Sequence, residues 1–387
     1  MHVHVPAELL GQRFRLNPAF RIVAIEALTP AEVQGLGGVA LDGELTSVLL
    51  PTVPALSAKA VCANTSRLLA ALRTPAPLPP ALRHELGADV DLIVRLLLDS
   101  VLEIEHDGTF VTGAAFAEQL RLGSVDAACD DAPARLSIEA LRYAEALAID
   151  HAPALSARLY FYNRVPISPR WIARLGTPEA VARWWGVADG TPPRTRLDRD
   201  WIETPPSPDN PGWYHFRSRT GSSGAPFKLY VNPRVDFSRD ALAAAVPILA
   251  AHGFASFKLA RDVNGVLRPD KLVAYASSRE QIDAAADELL RELCGTPAQA
   301  VPFTAGIDAA GLVSWGLDPP RSERVSTWQG ASWRRWITDR LAVALVAGRA
   351  GGAPSPSQFA RQRLALEGVE VGSWTPADLK WVHEARR

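Results

Sequence analysis

The stretch from Gly224 to Tyr275 contains three short runs of alternating apolar residues, and each run carries a single lysine. The runs read FKLYVNP, FASFKLARD and DKLVAYAS, with lysines Lys228, Lys258 and Lys271. Alternation with a period of two predicts β-strands, whose successive side chains lie on opposite faces. Lys228 therefore shares a face with Tyr230. A helical pattern between the first two strands predicts an α+β fold for this part of the chain.

Positive charge is concentrated around these strands. A buried cluster of cations is unfavourable unless an anion accompanies it, and phosphate is an anion that arginine and lysine both bind well. We therefore predict a phosphate-binding site, and the alternative is that the lysines lie at sheet edges with solvated ammonium groups. The candidate phosphate-binding residues are Arg217, Arg219, Arg261, Arg268 and Lys271.

Elimination of phosphate from a phosphorylated serine or threonine is one reaction that such residues support. It needs a base for the α-proton, cations for the phosphate and an acid for the leaving oxygen. Lys228 or Lys258 is the candidate base, because burial and neighbouring cations lower the pKa of a lysine. Tyr230 or His215 is the candidate acid. The simpler interpretation of His215 is a strand histidine that makes one hydrogen bond.

The composition limits the classes of function. The 387 residues are 48% hydrophobic and carry a net charge of −1, which is enough chain for two or three domains and gives no reason to expect nucleic-acid binding. The three cysteines fit neither a metal site nor a disulfide framework, which favours a reducing cytoplasm. Without a P-loop, a dinucleotide loop, a GxSxG motif or a membrane-length apolar run, we expect no metal, no cofactor and no membrane partner.

The sequence pattern divides the chain into three parts. Residues 1–150 are predicted to be mostly helical, with a helix over 90–101 and a hairpin at Asp107-Gly108 that together indicate a winged-helix-like, peptide-binding or supporting unit. Residues 151–212 are predicted to hold a strand over 154–166 and a Pro-rich linker over 187–212. Residues 213–387 are predicted to form an α+β domain with a mixed sheet and flanking helices.

The block from Phe227 to Pro320 resembles the phosphothreonine lyase family. The resemblance rests on FKLYVNP, where the family has a Lys-x-His strand, on FKLARD, where it has a Phe-Lys strand, and on RPDKLVAY, where an arginine precedes a lysine-bearing strand. The family includes type III effector lyases, the lyase domains of class III and IV lanthipeptide synthetases, and Hop-A-like lyases encoded with ribosomally made, modified peptides (RiPPs).

The resemblance implies roles for individual residues. It implies that Lys228 is the base and that Lys258 and Arg268 bind the phosphate or the carbonyl, without metal or cofactor. The family's acid histidine is Tyr230 in this chain, so the resemblance leaves the identity of the acid open, with His215 as the substitute.

The implied function is a phospho-Ser/Thr lyase that gives a dehydroamino acid in a precursor peptide during lanthipeptide or RiPP maturation. A separate kinase is an expected partner because the chain has no kinase motif set, and a separate cyclase is a further one. A second class of function is a non-catalytic peptide-binding partner of that kinase or cyclase. A third is an enzyme that acts on a small phosphorylated metabolite.

Overall fold

The computed structural model describes residues 11–36, 41, 44–53, 56, 58–80, 90–119, 130–205, 211–220, 225–319 and 332–376. Within these ranges the α-helices are α1 (Pro30–Gly35), α2 (Ala63–Ala71), α3 (Val90–Leu98), α4 (Gly113–Gln119), α5 (Ala132–Ala146), α6 (Ala152–Tyr160), α7 (Pro169–Leu175), α8 (Pro178–Trp185), α9 (Pro192–Asp200), α10 (Ser238–Ala251), α11 (Val263–Val266), α12 (Arg279–Glu292), α13 (Trp333–Ala350) and α14 (Pro356–Leu366).

The β-strands of the same ranges are β1 (Arg13–Leu16), β2 (Phe20–Ala24), β3 (Leu45–Pro51), β4 (Lys59–Cys62), β5 (Ala76–Pro77), β6 (Leu102–His106), β7 (Thr109–Val111), β8 (Trp201–Thr204), β9 (Trp213–Ser218), β10 (Phe227–Val231), β11 (Ser256–Ala260), β12 (Leu272–Ala276), β13 (Ala305–Gly306), β14 (Val313–Leu317), β15 (Val369–Glu370) and β16 (Thr375–Pro376). The mixture of helices and strands confirms the predicted α+β class.

The N-terminal region contains more strand than the sequence predicts. Strands β5-β1-β6-β7 form one small antiparallel sheet and β2-β3-β4 form another, so "mostly helical" is wrong for residues 1–150. The strands are short, and the helical spacing of apolar residues around them dominates the sequence pattern. The hairpin prediction is confirmed, because Asp107 (φ 47°) and Gly108 (φ 77°) form the left-handed turn between β6 and β7. The winged-helix-like arrangement stays a prediction.

The large sheet has the strand order β13-β14-β10-β12-β11-β9-β8, and every described pair is antiparallel. The prediction of a mixed sheet is therefore wrong. Helix α10 connects β10 to β11, and such a crossover usually joins parallel neighbours. Here β12 lies between β10 and β11 and runs antiparallel to both, which is a pairing that the local sequence does not reveal.

Two predictions for residues 151–212 are wrong. The segment predicted as a strand is helix α6, in which Leu155 and Leu159 are fully buried at helical spacing. The predicted linker contains helix α9, capped by Thr191, and strand β8, which pairs with β9. Prolines at the start of α9 fit a first helical turn as well as they fit a loop. Residues 206–210 of that linker lie outside the described part of the chain.

Two hydrophobic cores organise the molecule. The larger core joins the large sheet to α6, α8, α10, α12 and α13, and it also receives Leu141 of α5. The smaller core lies between the N-terminal sheets and α2 to α4, and the C-terminal helix α14 contributes Phe359 and Leu366 to it. The packing of α5 and α14 therefore crosses the predicted divisions of the chain, and the three-part domain division itself stays a prediction.

Close packing at Gly316 gives a testable expectation. A Cβ on this residue of β14 would lie 2.7 Å from Cδ1 of Trp333. Trp333 is fully buried and its indole N–H donates to the Phe303 carbonyl at 3.0 Å, so the ring has little freedom to move. We expect Gly316→Ala to lower the free energy of unfolding by about 1–3 kcal/mol in urea titrations. Gly11→Ala is the control, because a Cβ there meets no atom within 4 Å.

Candidate functional site

The strand register places the predicted catalytic side chains on one face of the large sheet. Directly opposed residues in neighbouring strands share a face, and Lys228 is opposite Tyr275, while Lys258 is opposite both Val273 and His215. Tyr230 follows on the same face two residues after Lys228. We call this surface the lysine face, and its charged, histidine and aromatic members include Lys228, Tyr230, Tyr275, Lys258, His215, Arg217 and Trp213.

The opposite face of the sheet is apolar and is covered by helices. Phe227 stacks with Trp315 at a centroid separation of 6.4 Å, and Arg279 at the start of α12 lies 4.2 Å from the centre of the Trp315 ring. On the same face the rings of Phe216 and Phe257 stack at 4.8 Å. The burial of this face fixes the register of the strands, because a slip by one residue would turn the lysines into the apolar core.

Lys228 lies inside the protein and forms an ion pair. Its residue is 4% exposed, and its Nζ donates to the Asp318 carboxylate. Asp318 also accepts from the backbone N–H of Trp333 at 3.3 Å, which holds the carboxylate in place. The alternative of a solvated edge lysine is therefore wrong for Lys228. An ammonium bound to a carboxylate has no lone pair with which to accept a proton from a substrate.

Lys258 has a different environment. It is partly exposed, with its Nζ 4.3 Å from the centre of the Trp213 ring and 5.8 Å from that of Tyr275. In the described part of the chain no carboxylate lies within ion-pair distance of it. Burial lowers the pKa of Lys258, but the side chains of Tyr275 and Tyr160 outweigh burial, so the pKa lies above its ordinary value. Lys258 is therefore a charged ammonium at neutral pH without a carboxylate partner among the described residues.

A buried ionic network supports the adjoining part of the site. Arg268 donates to both carboxylate oxygens of Asp270, at 2.7 and 2.6 Å, and to the Tyr160 hydroxyl at 2.8 Å. Nη1 of Arg334, from α13, lies 2.7 Å from the same carboxylate. Burial alone would raise the pKa of Asp270, but the two guanidinium groups hold it well below its ordinary value. The single negative charge of Asp270 thus holds two arginine side chains in place.

The two candidate acids are both poor proton donors at neutral pH. Burial raises the pKa of Tyr230 well above its ordinary value, and the residue is 2% exposed. Burial and then the charge of Lys258 lower the pKa of His215. The Nε2 atom of His215 is buried and has no hydrogen-bond partner among the described residues. The simpler interpretation, a strand histidine that makes one hydrogen bond, is therefore not met at Nε2. A neutral imidazole beside an ammonium is suited to accept a proton.

The remaining predicted cations are dispersed. Arg217 is exposed on the lysine face. Arg219 donates from Nε to the Asp198 carbonyl at 3.1 Å. Arg261 lies 5.3 Å from the centre of the Tyr214 ring, and Tyr214 belongs to the opposite face. The structure therefore brings Arg268 and Arg217 to the site and leaves Arg219 and Arg261 outside it.

Lys271 is engaged by the protein itself. The residue is fully buried, and its Nζ donates to the Pro233 carbonyl at 2.8 Å and to Oε1 of Gln299 at 2.7 Å. Burial lowers its pKa to about 7, although Asp270 partly opposes this shift. A neutral amine has two N–H donors, and both are used in these contacts. The neutral amine of Lys271 therefore has no free N–H with which to bind a phosphate, as its predicted role would require.

Lys271 should make the stability of the protein depend on pH. Its folded pKa of about 7 lies below the value near 10.4 of an unfolded lysine, so the unfolded chain binds more protons between these values. The free energy of unfolding should therefore rise as pH increases through this window. Urea unfolding at about pH 6.5 and about pH 9 should show the rise in wild type and a smaller one in Lys271→Met. An equal rise in both proteins would assign it to other groups.

Several site residues are not identified by the sequence pattern. Asp270 follows Arg268 by two residues in a segment where an aspartate is typically a solvated turn residue, but it is buried. Tyr275 lies on the third lysine-bearing strand, where alternation places it on the lysine face. The others come from distant elements, and only the tertiary structure brings them in: Tyr160, Asp318 and Arg334.

Comparisons with known proteins leave the family of this chain open. No family model and no curated protein matches the sequence. An effector protein from Pseudomonas syringae pv. tomato strain DC3000 is similar in structure at a TM-score of 0.39 and 12% identity, over 63% of this chain and 97% of that chain. An effector protein from Pseudomonas syringae pv. syringae strain 61 is similar at a TM-score of 0.37 and 9% identity, over 62% of this chain and 97% of that chain. A phosphothreonine lyase is similar at a TM-score of 0.26 and 10% identity, over 48% of this chain and 86% of that chain.

Neither a metal-binding group nor a membrane-spanning helix is present in the described residues. They contain no group of three or more His, Cys, Asp or Glu side chains arranged to hold a metal ion. They also contain no helix with the length and apolar character needed to cross a membrane.

Proposed function

We propose that the lysine face binds a phosphorylated serine or threonine of a peptide and eliminates its phosphate. The observation that carries the proposal is Lys258, a half-buried residue of this face whose ammonium has no carboxylate partner in the described structure. Across the site, the cations outnumber the carboxylates of Asp270 and Asp318. A phosphate dianion would offset most of this excess. The cations are Lys228, Lys258, Arg217, Arg268 and Arg334.

The reaction breaks two bonds of the substrate and forms one double bond. A base takes the α-proton, the electron pair of that C–H bond forms the Cα–Cβ double bond, and the Cβ–O bond breaks with release of phosphate. Negative charge develops on the substrate carbonyl and on the leaving phosphate, and fixed cations stabilise both. The step needs no redox partner, and its products are a dehydroamino acid and inorganic phosphate.

The environments of the side chains suggest how the roles divide. The resemblance assigns Lys228 as the base, but its Nζ already donates to the Asp318 carboxylate. We therefore assign Lys228 and Lys258 to the developing negative charge and His215 to the proton. His215 is the directly opposed neighbour of Lys258, and its lowered pKa keeps its imidazole neutral and able to accept. Tyr275, whose ring lies 5.5 Å from Nζ of Lys228 and 5.8 Å from that of Lys258, is placed to hydrogen-bond the leaving oxygen.

The substrate class is part of the proposal. A precursor peptide made on the ribosome, phosphorylated by a separate kinase and passed to a separate cyclase, fits the resemblance to lanthipeptide and RiPP lyases. The cationic face is the feature of this chain that supports it. The phosphate must come from another enzyme, because the sequence has no kinase motif set.

Incubation with a phosphothreonine peptide, followed by mass spectrometry, tests the proposal. We expect loss of about 98 Da, the mass of phosphoric acid, with no metal added. Loss of about 80 Da would instead show hydrolysis and identify a phosphatase. The unphosphorylated peptide is the control, and its mass should not change.

One observation favours a second candidate function. Tyr230 stands where the family has its acid histidine, and it is buried with a raised pKa. A site that keeps its cations but lacks an acid would bind a phosphopeptide without turnover, as expected of a non-catalytic partner of the kinase or cyclase. Tight binding of the phosphothreonine peptide with no mass change would support this second function and contradict the first.

A further inference from the structure

A groove on the helical side of the sheet has no part in the proposed reaction. It runs between α7, α8, α9 and α10 and has two sections that share Arg239 and Asp240. The first section is a cavity of about 270 Å³ with apolar walls, and the second is a cleft of about 540 Å³ with arginines along it. We call the two together the α8–α10 groove.

The apolar section is the size of a side chain. Its walls include Trp185, Val187, Leu197, Leu242 and Val246, all buried, with exposed Ala243 at the rim. Pockets that bury a drug-sized ligand measure about 300–1,000 Å³, so this cavity suits one bulky apolar group. Such a pocket is the usual anchor point of a peptide or protein side chain.

The second section is cationic in a chain whose net charge is −1. Arg174 lies 3.7 Å from Asp236, and its guanidinium lies 4.3 Å from the centre of the Trp184 ring. Arg183 and Arg239 have no carboxylate within ion-pair distance among the described residues. Around the whole groove the five arginines Arg174, Arg183, Arg196, Arg199 and Arg239 face the three aspartates Asp200, Asp236 and Asp240.

A backbone acceptor also lies at the groove. Pro247 is inside α10 and lines the apolar section. Proline has no N–H, so the carbonyl of Ala243, four residues earlier, lacks its usual helical partner. An extended or turning peptide carries N–H donors that can satisfy this carbonyl, whereas a fatty acid carries none.

Gly186 allows the two sections to meet. It ends α8 in the left-handed conformation, at φ +77°. A Cβ there would lie 3.3 Å from Nε of Arg239 and 3.4 Å from Cγ of Pro193. The close approach of α9 and α10 at this point sets Arg239 between the apolar cavity and the arginine cleft.

We propose that the α8–α10 groove binds an acidic peptide segment with one bulky apolar side chain. The apolar side chain occupies the cavity, the carboxylates lie along Arg183 and Arg239, and a backbone N–H donates to the Ala243 carbonyl. Arginine clusters beside an apolar pocket recognise acidic motifs in this way. Because the groove is on the opposite side of the sheet from the lysine face, the peptide is held away from the reacting group.

Fluorescence anisotropy with a short labelled peptide tests this site. The probe is a glutamate-rich peptide with one central leucine, and its controls replace that leucine with alanine or the glutamates with lysine. Ala243→Phe fills the cavity from its exposed rim, and we expect at least about tenfold weaker binding. The exposed Ala284 of α12 provides the matched control, and Ala284→Phe should bind as wild type does.

Charge reversal tests the arginine section. Arg183→Glu combined with Arg239→Glu should abolish binding, and raised salt should weaken binding to wild type. Arg142→Glu, an exposed arginine of α5, should have no effect. No binding of the glutamate-rich peptide, unchanged binding by Ala243→Phe, or tighter binding of a fatty acid than of the peptide would each overturn the proposal. Ala243→Phe should eliminate phosphate from a short phosphothreonine peptide at the wild-type rate, so this test is separate from that of the lysine face.

Discussion

Replacing Lys258 with methionine should reduce elimination from a phosphothreonine peptide by at least about 100-fold. Methionine keeps most of the volume that packs on Trp213 but removes the ammonium that lies 4.3 Å from the centre of that ring. Stabilisation of developing negative charge is lost, and His215 loses the neighbour that lowers its pKa. Rates should be measured by mass spectrometry under single-turnover conditions, so that chemistry is separated from product release.

The control for this variant is Lys59→Met. Lys59 forms an ion pair of 3.5 Å with Asp99 in the N-terminal region, far in the chain from the lysine face, and its replacement should leave the rate unchanged. Thermal melts should show that Lys258→Met is folded. If Lys258→Met turns over normally while Lys228→Met is inactive, the chemistry belongs to Lys228, as the family resemblance implies, and our division of roles is wrong.

Replacing Asp270 with asparagine should cause a large loss of stability. The Asp270 side chain is only 6% exposed and is the shared partner of Arg268 and Arg334, whose side chains are 14% and 1% exposed. Removing one partner of a buried ion pair leaves uncompensated charge, at a cost of about 3–5 kcal/mol. Two guanidinium groups would be left without their carboxylate here, so we expect a lower urea midpoint with little change in slope.

Asp283→Asn is the matched control for this variant. Asp283 pairs with Arg279 one turn away on the surface of α12, with 50% of its side chain exposed, and such pairs contribute about 0.3–0.5 kcal/mol. A similar small effect of Asp270→Asn would mean that the network is not an important source of stability.

Acid titration gives a second measurement on Asp270. Its folded pKa lies below the value near 3.9 of an unfolded aspartate. Its contribution is therefore fully present above about pH 4 and is lost as pH falls through the lower folded pKa. The stability difference between wild type and Asp270→Asn should stay constant near neutral pH and shrink only in strong acid.

The local sequence pattern is a good guide to helices whose ends are set by neighbouring residues. Ser278 caps α12 by accepting from the Gln281 N–H, and Thr177 caps α8, which is the role that serine and threonine favour at a helix start. The cap of α5 is different. Serine before an apolar helical pattern is a typical N-cap, but here Asp131 is the cap, and Ser137 lies inside the helix, donating to the Pro133 carbonyl and accepting from the Phe303 N–H. A buried partner 166 positions away in the chain cannot be read from local spacing.

By itself the sequence determined the strands that carry Lys228 and Lys258, the shared face of Lys228 and Tyr230, and the hairpin at Asp107-Gly108. A period of two and a left-handed turn are properties of a few consecutive residues. Only the tertiary structure decided which cations are neutralised, because Asp318, which follows β14, and Arg334 of α13 both reach the site from distant parts of the chain. Charge balance at a buried site depends on contacts between distant elements, and those contacts leave Lys258 with an ammonium that no described carboxylate neutralises.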